Sequence, residues 1–306
     1  TYFEPDFLGK TEGEVKKMIA DEQAASKIPL ITAVDEEGGR VVRISSNTSL
    51  VSNEMSKYPN LFYTNINNKN AWKLSKDLYR ESGNNFTLIE QETRVKSAVL
   101  KRLGLNVNFA PVVDMAIEGA YISDRVIGLD ARGTAEYGKT VIKTSKETGV
   151  SYCLKHFPGY GNNSDTHDTG SVDNKTLEEL MENDIVPFKE SIDNGAEIVM
   201  VAHNTVAAID SNNPASLSKG VHDLLVNELN FTGIITTDAL DMGATKDIPD
   251  KFVKAIKAGN HLLLVQDYAS AQKEIINAVE SGTLSEATIT RLAFKVLAWK
   301  YYKGLM

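Results

Sequence analysis

The sequence predicts an α/β fold in which parallel strands and helices alternate and wind into a (β/α) barrel. Two observations predict it: short apolar runs recur and end in polar residues, and most are followed by a loop and a stretch of helical period. Parallel strands require crossover connections, which are usually helices. The six runs span residues 29–34, 107–113, 151–154, 198–202, 233–237 and 261–265.

The same strands could instead form a doubly wound open sheet. The barrel is favoured because the polar ends of all six runs would meet at one edge, where barrel active sites are built. No glycine-rich phosphate loop follows an early strand, as a dinucleotide-binding sheet would require. A closed barrel has eight strands, so we expect the remaining strands to precede Thr1. No linker rich in Pro, Gly or Ser divides the chain, which predicts a single catalytic domain over residues 1–306.

Two helices are predicted most clearly. Thr176 and Glu179 fit a capping box, in which each side chain satisfies a backbone N–H at the helix start. An apolar stripe follows at helical spacing, made of Leu177, Leu180, Met181, Ile185, Phe188 and Ile192. A second helical period within residues 285–303 predicts that the domain closes with a packed helix, through Ile289, Leu292, Val296 and Leu297.

Composition excludes several classes of protein. The 306 residues carry 33 Lys plus Arg and 41 Asp plus Glu, for a net charge of −8, which argues against a nucleic-acid binder. No apolar run approaches the ~20 residues that span a bilayer, and no signal peptide is visible. Cys153 is the one cysteine, so a disulfide scaffold and a cysteine-rich zinc site are excluded.

The most informative segment is 155–168, where two glycines, a proline and small polar residues predict a loop that ligands approach closely. Asp165 and His167 lie two residues apart in this loop. The carboxylate can contact one ring nitrogen, fix the tautomer and favour the imidazolium. The alternative is a surface loop in which both residues only make turn hydrogen bonds.

Two further strand ends carry candidate residues. Asp238 ends the fifth run, where a rigid strand suits a nucleophile or a base. The alternative is a helix cap, a role for which Asp241 is better placed. The loop 35–43 turns at two glycines, and Asp35 and Arg43 can accept and donate hydrogen bonds to a polar ligand there. A solvated loop with internal ion pairs is the alternative, and composition alone favours it.

Taken together, these segments resemble glycoside hydrolase family 3, in its bacterial β-N-acetylglucosaminidase branch. Their order and spacing agree over nearly the whole chain. The matching segments are 35–43, 108–114, 123–125, 155–161, 165–167, 202–204 and 236–238. Tyr160 departs from the pattern, since many relatives have His between the two glycines.

The resemblance implies a (β/α)8 barrel and retaining exo-hydrolysis of terminal β-linked N-acetylglucosamine, from peptidoglycan- or chitin-derived glycans, through a covalent glycosyl-aspartate intermediate. Asp238 matches the nucleophile and His167 the general acid/base, with Asp165 as its partner. The positions that match sugar contacts are Asp35, Arg43, Arg125, Lys155, His156 and His203. We expect no cofactor and no metal.

The resemblance also separates branches of the family. Members that act on glucosides take their acid/base from a second domain, whereas this chain carries the Asp165–His167 pair in its own loop. Tyr2 and Phe3 resemble the tail of the second barrel strand, so we expect ~30 residues of barrel to precede this chain.

Several alternatives stay open at this stage. The chain could be a β-glycosidase of other specificity in the same family, or a catalytically silent sugar-binding barrel. A metal-dependent hydrolase has only weak support, because no H-x-H or H-E-x-x-H pair occurs. A Schiff-base lyase is a further alternative, and it would use Lys155 as the amine. We expect a monomer that acts on a small N-acetylglucosamine-containing glycan and binds no nucleic acid. The compartment stays open, with the cell envelope slightly favoured over the cytoplasm.

Overall fold

Six parallel strands form the central sheet of the computed structural model, which describes residues 1–63, 72–116, 118–161, 165–166 and 170–306. Each strand lies within one of the six predicted runs or extends it by a few residues. The strands are β1 (Ala33–Val34), β2 (Val107–Asn108), β3 (Ser151–Phe157), β5 (Ile198–Val201), β7 (Ile234–Ala239) and β8 (Leu262–Leu264), while β4 (Val172–Asp173) and β6 (Thr205–Val206) pair separately.

The order of the strands shows how the sheet is wound. Hydrogen bonds connect β1-β2-β3-β5-β7-β8, so the order follows the chain and never reverses. A doubly wound sheet reverses at a switch point, which makes that alternative wrong for the described residues. Tyr2 forms a parallel bridge to Val34 and extends the sheet by one position beside β1. The α/β class and the parallel sheet are confirmed, and closure into an eight-stranded barrel stays a prediction.

Helices connect the strands and cover the sheet. They are α1 (Glu12–Ala25), α2 (Ser52–Lys57), α3 (Ser75–Glu81), α4 (Thr87–Leu103), α5 (Ala131–Lys146), α6 (Leu177–Glu179), α7 (Ile185–Asp193), α8 (Lys219–Asp223), α9 (Lys251–Ala258), α10 (Tyr268–Glu280) and α11 (Glu286–Tyr302). Among the described residues, none of these helices combines the length and the apolar character needed to cross a bilayer.

The helix predicted after Thr176 forms, but a π turn changes which of its residues are buried. Thr176 Oγ1 accepts a hydrogen bond from the Glu179 N–H, and the Glu179 carboxylate accepts one from the Thr176 N–H, so the capping box is confirmed. A π-helical turn at Leu180–Asp184 joins α6 to α7. Because a π turn holds an extra residue, it shifts the phase of the stripe. Met181 is consequently exposed, against the prediction, whereas Leu180, Ile185 and Phe188 are buried. Leu177, in the first turn before the π turn, is exposed as well.

The predicted C-terminal helix is α11. The Ser285 hydroxyl accepts a hydrogen bond from the Thr288 N–H and caps its first turn. Leu292 and Val296 are buried, as their spacing predicts, and Trp299 is buried one turn further along. The packed closing helix is therefore confirmed.

An aromatic contact fixes the end of β3 against its crossover helix. The Phe157 ring meets the Phe188 ring of α7 edge to face, with centroids 5.2 Å apart and an interplanar angle of 89°. Both side chains are fully buried. Because Phe157 directly follows Lys155 and His156, this contact also positions the strand end that carries two predicted site residues.

We expect Phe188→Ala to lower the free energy of unfolding by about 3–5 kcal/mol, because it removes a buried ring and leaves a cavity beside Phe157. Phe294→Ala is the matched control, since the Phe294 side chain is 70% exposed and its loss should cost within about 0.5 kcal/mol. Urea unfolding followed by circular dichroism measures both variants. Equal losses would contradict this packing.

Candidate active site

A cleft of about 710 Å³ opens at the carboxyl ends of the strands. The predicted site residues that line it are Asp35, Arg43, Arg125, Lys155, His156 and Asp238. Asp35 directly follows β1, Lys155 and His156 lie near the end of β3, and Asp238 lies near the end of β7. Parallel strands bring their carboxyl ends to one edge, which explains why residues so distant in sequence meet here.

The other predicted site residues lie around this cleft or outside the described residues. His203 is buried behind Asp238 and does not line the cleft wall. Asp165 lies close to Tyr121, one of the lining residues. His167 lies outside the described residues, so its role stays a prediction.

Glu36 holds the loop that carries Arg43. Its buried carboxylate accepts hydrogen bonds from the N–H groups of Arg43 and Ile44, at 2.8 Å each, and of Ser45, at 3.1 Å. The Arg43 guanidinium then lies 3.7 Å from the Asp35 carboxylate. The loop 35–43 therefore lines the cleft and also contains internal ionic contacts. The two alternatives, a ligand-binding loop and a loop with internal ion pairs, are not exclusive.

A buried network of ion pairs forms the floor of the cleft. Lys155 Nζ lies 2.7 Å from Asp35 Oδ1 and 2.6 Å from Glu37 Oε1. Arg125 grips the same Glu37 with two parallel contacts, Nη2–Oε1 at 2.7 Å and Nε–Oε2 at 3.0 Å. Such fork-to-fork pairing fixes the guanidinium in one plane. Sequence reasoning missed Glu37 as a site residue, although Glu37 lies inside the candidate loop 35–43.

These contacts keep Glu37, Arg125 and Lys155 charged. Burial alone would raise the pKa of Glu37, but Arg125 and Lys155 outweigh it and hold that pKa well below its usual range. Burial alone would likewise lower the pKa of Lys155, and the carboxylates of Asp35 and Glu37 raise it instead. A protonated Lys155 is a poor nucleophile, which disfavours the Schiff-base alternative.

Asp114 orients His156 from behind. One carboxylate oxygen lies 2.7 Å from His156 Nδ1, and both oxygens accept from the His156 N–H at 3.1 Å. The Tyr160 N–H donates to the same carboxylate at 2.7 Å. A carboxylate only accepts, so Nδ1 carries a proton and Nε2 is turned to Asp238, whose Oδ2 lies 4.0 Å away. Sequence reasoning missed Asp114 as a functional residue, although it ends the matching segment 108–114 and directly follows the apolar run 107–113.

Asp238 is held as a carboxylate at the cleft surface. Its side chain is 19% exposed, and its Oδ1 accepts a hydrogen bond from the Ala239 N–H at 2.8 Å. Burial would raise the pKa of Asp238, but the charges of His156 and His203 outweigh it and lower that pKa. An ionised oxygen, Oδ2, is therefore presented to the cleft by a strand rather than by a helix start.

The prediction that Asp241 caps a helix is wrong. Asp241 Oδ2 accepts a hydrogen bond from the Gln266 N–H at 2.6 Å, across to the segment after β8. The next helix, α9, begins only at Lys251, with Asp250 at its N-cap position. The segment after β7 is long and irregular, so the short-range capping rule did not apply.

His203 fixes the backbone beside Asp238. Its Nε2 lies 2.9 Å from the Ala239 carbonyl oxygen and its Nδ1 lies 2.8 Å from Ser216 Oγ. Because a carbonyl only accepts, Nε2 donates to it and the ring orientation is set. The ring thereby holds the end of β7 in place, and direct sugar contact by His203 stays a prediction.

Thr166 anchors the loop that contains Asp165. Its N–H donates to the Tyr160 hydroxyl at 2.7 Å, and its carbonyl accepts from the Ala244 N–H at 3.1 Å. The Thr166 side chain is fully buried and its hydroxyl lies 3.1 Å from that of Tyr160. This residue therefore joins the loop after β3 to the segment that follows Asp238.

The cleft thus combines an ionised carboxylate, an oriented imidazole and a rigid set of cations and acids. These groups suit recognition of a polyhydroxylated ligand and attack by Asp238 on an electrophilic carbon. In the part of the chain that the structure describes, no group of three or more His, Cys, Asp or Glu side chains could hold a metal ion.

Comparison with known proteins points to one family. Residues 10–298 match the glycosyl hydrolase family 3 N-terminal domain. A β-hexosaminidase of Hydrogenovibrio crunogenus is 32% identical over 271 residues, which are 86% of this chain and 71% of that protein. A β-hexosaminidase of Nitrosomonas eutropha is 29% identical over 276 residues, 89% of this chain and 74% of that one.

A solved structure agrees in fold. The glycoside hydrolase family 3 β-N-acetylglucosaminidase of a Paenibacillus species superposes with a TM-score of 0.85 and 28% identity. The superposition covers 99% of this chain and 56% of that chain, so this chain spans little more than half of that structure's length.

Glu37→Gln should lower the free energy of unfolding by about 3–5 kcal/mol at pH 7, because it strands the buried cations Arg125 and Lys155. The matched control is Glu147→Gln, which breaks the exposed Glu147–Arg94 pair and should cost about 0–1 kcal/mol. Urea unfolding measures both variants. Similar losses would show that the Glu37 network does not stabilise the fold.

The pH dependence of the same pair has a definite sign. The folded-state pKa of Glu37 is depressed, so its stabilising contribution is complete above the unfolded value, about 4.3. It is lost as the pH falls through the lower folded value. The difference in stability between wild type and Glu37→Gln should therefore shrink below about pH 4.3, and a difference that grows there would contradict the assignment.

Proposed function

This chain belongs to glycosyl hydrolase family 3 through the family's N-terminal domain, and on that premise we propose that it removes terminal β-linked N-acetylglucosamine from glycans. It is a glycoside hydrolase, and relatives named β-hexosaminidase support the specificity for an N-acetylated sugar. The observation that carries the proposal is Asp238, an ionised carboxylate in the cleft with the His156 ring 4.0 Å away.

In the first step, Asp238 attacks the anomeric carbon and a glycosyl ester forms. Its Oδ1 is held by the Ala239 N–H, which leaves Oδ2 as the attacking oxygen. The bond from the anomeric carbon to the leaving oxygen breaks as His167 gives that oxygen its proton. The neighbouring imidazoles are oriented before substrate arrives, so they need not rearrange when the negative charge of Asp238 is lost in the ester.

In the second step, water attacks the same carbon and the ester breaks. Neutral His167 takes the proton from water, the sugar leaves with its configuration retained, and Asp238 returns as a carboxylate. A histidine suits this double role because its usual pKa lies near 6.5. Asp165 would raise that pKa by stabilising the imidazolium. The roles of His167 and Asp165 rest on the family resemblance.

Sugar recognition falls to the ion-pair network. Asp35 can accept hydrogen bonds from two hydroxyls while Lys155 donates to another. Two nitrogens of Arg125 are engaged by Glu37, which leaves Nη1 to donate to the substrate. Because these side chains already pair with each other, a hydroxyl that joins the network adds hydrogen bonds without forcing a charge to move.

A covalent route is favoured over attack by the substrate's own N-acetyl oxygen. Substrate assistance benefits from a neighbouring acidic residue that polarises the amide, and Asp238 is followed by Ala239. The remaining alternatives are a β-glycosidase of other specificity and a silent sugar-binding protein. Intact Asp165, His167 and Asp238 speak against the silent alternative.

We propose that the substrate is a glycan derived from peptidoglycan or chitin. The strand order supports winding of the barrel type, and we propose that the complete fold is a (β/α)8 barrel.

Wild type should hydrolyse nitrophenyl β-N-acetylglucosaminide much faster than nitrophenyl β-glucoside. His167→Ala should lower kcat by about 10²–10⁴-fold, the usual contribution of a general acid/base. Release of nitrophenol measures both. If the wild type shows no preference for the N-acetylated sugar, the assignment to the β-N-acetylglucosaminidase branch is wrong.

Trapping of a covalent intermediate tests the role of Asp238 as the nucleophile. A slow fluorinated N-acetylglucosaminide should leave a sugar attached to Asp238 that intact mass spectrometry and peptide mapping detect, and Asp238→Ala should lose both label and turnover. Near-normal turnover by Asp238→Ala would overturn the mechanism.

Asp114→Asn should lower kcat roughly 10–100-fold, as loss of an orienting partner does elsewhere. An amide can donate to His156 Nδ1, so the ring loses its fixed tautomer and stabilises the Asp238 carboxylate less, and the pKa of Asp238 rises. The acidic limb of the kcat/KM profile should therefore move to higher pH. Asp193→Asn, which breaks an exposed ion pair with Lys189, is the control, and an unshifted acidic limb in Asp114→Asn would contradict this role.

A further inference from the structure

A second cavity, of about 340 Å³, lies at the opposite edge of the sheet from the cleft. Gly233 and Ile235 border it at the amino end of β7, and His261 borders it directly before β8. The cleft is built at the carboxyl ends of the same strands. The length of the sheet therefore separates the two cavities, and no described residue lines both.

Cationic side chains dominate this cavity, which we call the basic pocket after Lys219, Lys257, Arg291 and Lys295. Asp223 is the one carboxylate among its described lining residues, and both of its oxygens lie 2.6 Å from Lys219 Nζ. The other three cations make no ion pair or hydrogen bond with any residue that the structure describes. They stand uncompensated in a chain whose net charge is −8.

Two of these cations repel each other along one helix. Arg291 and Lys295 are four residues apart in α11, so they share a face. Like charges at this spacing destabilise a helix. An anion bound between them would replace that repulsion with attraction.

His261 adds a neutral donor to the pocket. Its Nδ1 accepts a hydrogen bond from the Ile235 N–H at 2.9 Å, so the neutral ring carries its proton on Nε2. Burial, together with the charges of Lys295 and Arg291, lowers the pKa of His261 to about 4. The Nε2–H makes no hydrogen bond within the described part of the chain.

We propose that the basic pocket binds a small oxyanion, a phosphate or carboxylate group carried on a compact organic molecule. Arg291, Lys295 and Lys257 supply the charge, and His261 supplies a donor. Phe231 and Val226 give the pocket an apolar wall for the organic part of the ligand. A volume of about 340 Å³ fits the lower end of the range for small-molecule sites. The pocket is separate from the hydrolytic site, so this binding does not depend on hydrolysis.

Isothermal titration calorimetry with inorganic phosphate, phenyl phosphate and benzoate tests the proposal at pH 7. Sodium chloride holds the ionic strength constant, because screening alone alters surface electrostatics. We expect saturable binding at one site. Arg291→Gln and Lys295→Gln should each weaken it roughly tenfold or more, since each removes a charged hydrogen-bond donor to the anion.

Two controls locate the binding. Lys273→Gln removes the same charge from an exposed position of α10 outside the pocket and should leave affinity unchanged. Asp238→Asn alters the cleft and should bind like the wild type. The proposal is overturned if no probe saturates, if Lys273→Gln weakens binding as much as Lys295→Gln, or if Asp238→Asn abolishes it. A response to both phosphates alone assigns a phosphate ligand, and a response to benzoate alone assigns a carboxylate.

Discussion

Lys155 carries a positive charge inside the protein, and much of the cleft follows from neutralising it. Its side chain is only 3% exposed, and a buried ammonium without partners costs several kcal/mol. The carboxylates of Asp35 and Glu37 meet that requirement, and Glu37 is itself held by Arg125. One buried charge thereby connects the end of β3 to the loop after β1 and to the turn that contains Arg125. The polar groups that face a sugar are consequently in position before any sugar binds.

The proposed nucleophile is governed by a second, separate set of contacts. Asp114 directs the His156 ring towards Asp238, while His203 holds the carbonyl of Ala239. Both imidazoles act on the carboxylate from within the protein, where water screens electrostatic interactions weakly. A preorganised field of this kind needs no rearrangement when, in the proposed reaction, the negative charge of Asp238 disappears and later returns. The residues proposed for sugar recognition and those proposed for attack are therefore different sets that meet at one strand, β3.

Much of this arrangement could be predicted from the sequence, because buried parallel strands appear as continuous apolar runs. All six runs form strands, and residues that end them, such as Lys155, His156 and Asp238, meet in the cleft. Glu37 and Asp114 were harder to recognise, since their partners Arg125 and His156 lie 88 and 42 residues away along the chain. Local rules failed where an irregular feature intervened: a π turn left Met181 exposed, and the long segment after β7 left Asp241 without a helix to cap.

Thr166 has a consequence for how this protein can diverge. Its N–H is held by the hydroxyl of Tyr160, and its carbonyl is held by the N–H of Ala244. Thr166 lies between Asp165 and His167, the proposed acid/base pair, and is thus tied to the segment that follows the proposed nucleophile Asp238. A change of length in one of these loops would pull Thr166 away from its partner in the other. The two loops are therefore expected to evolve as a matched pair, and grafting one of them alone into a relative would leave a buried backbone group unpaired.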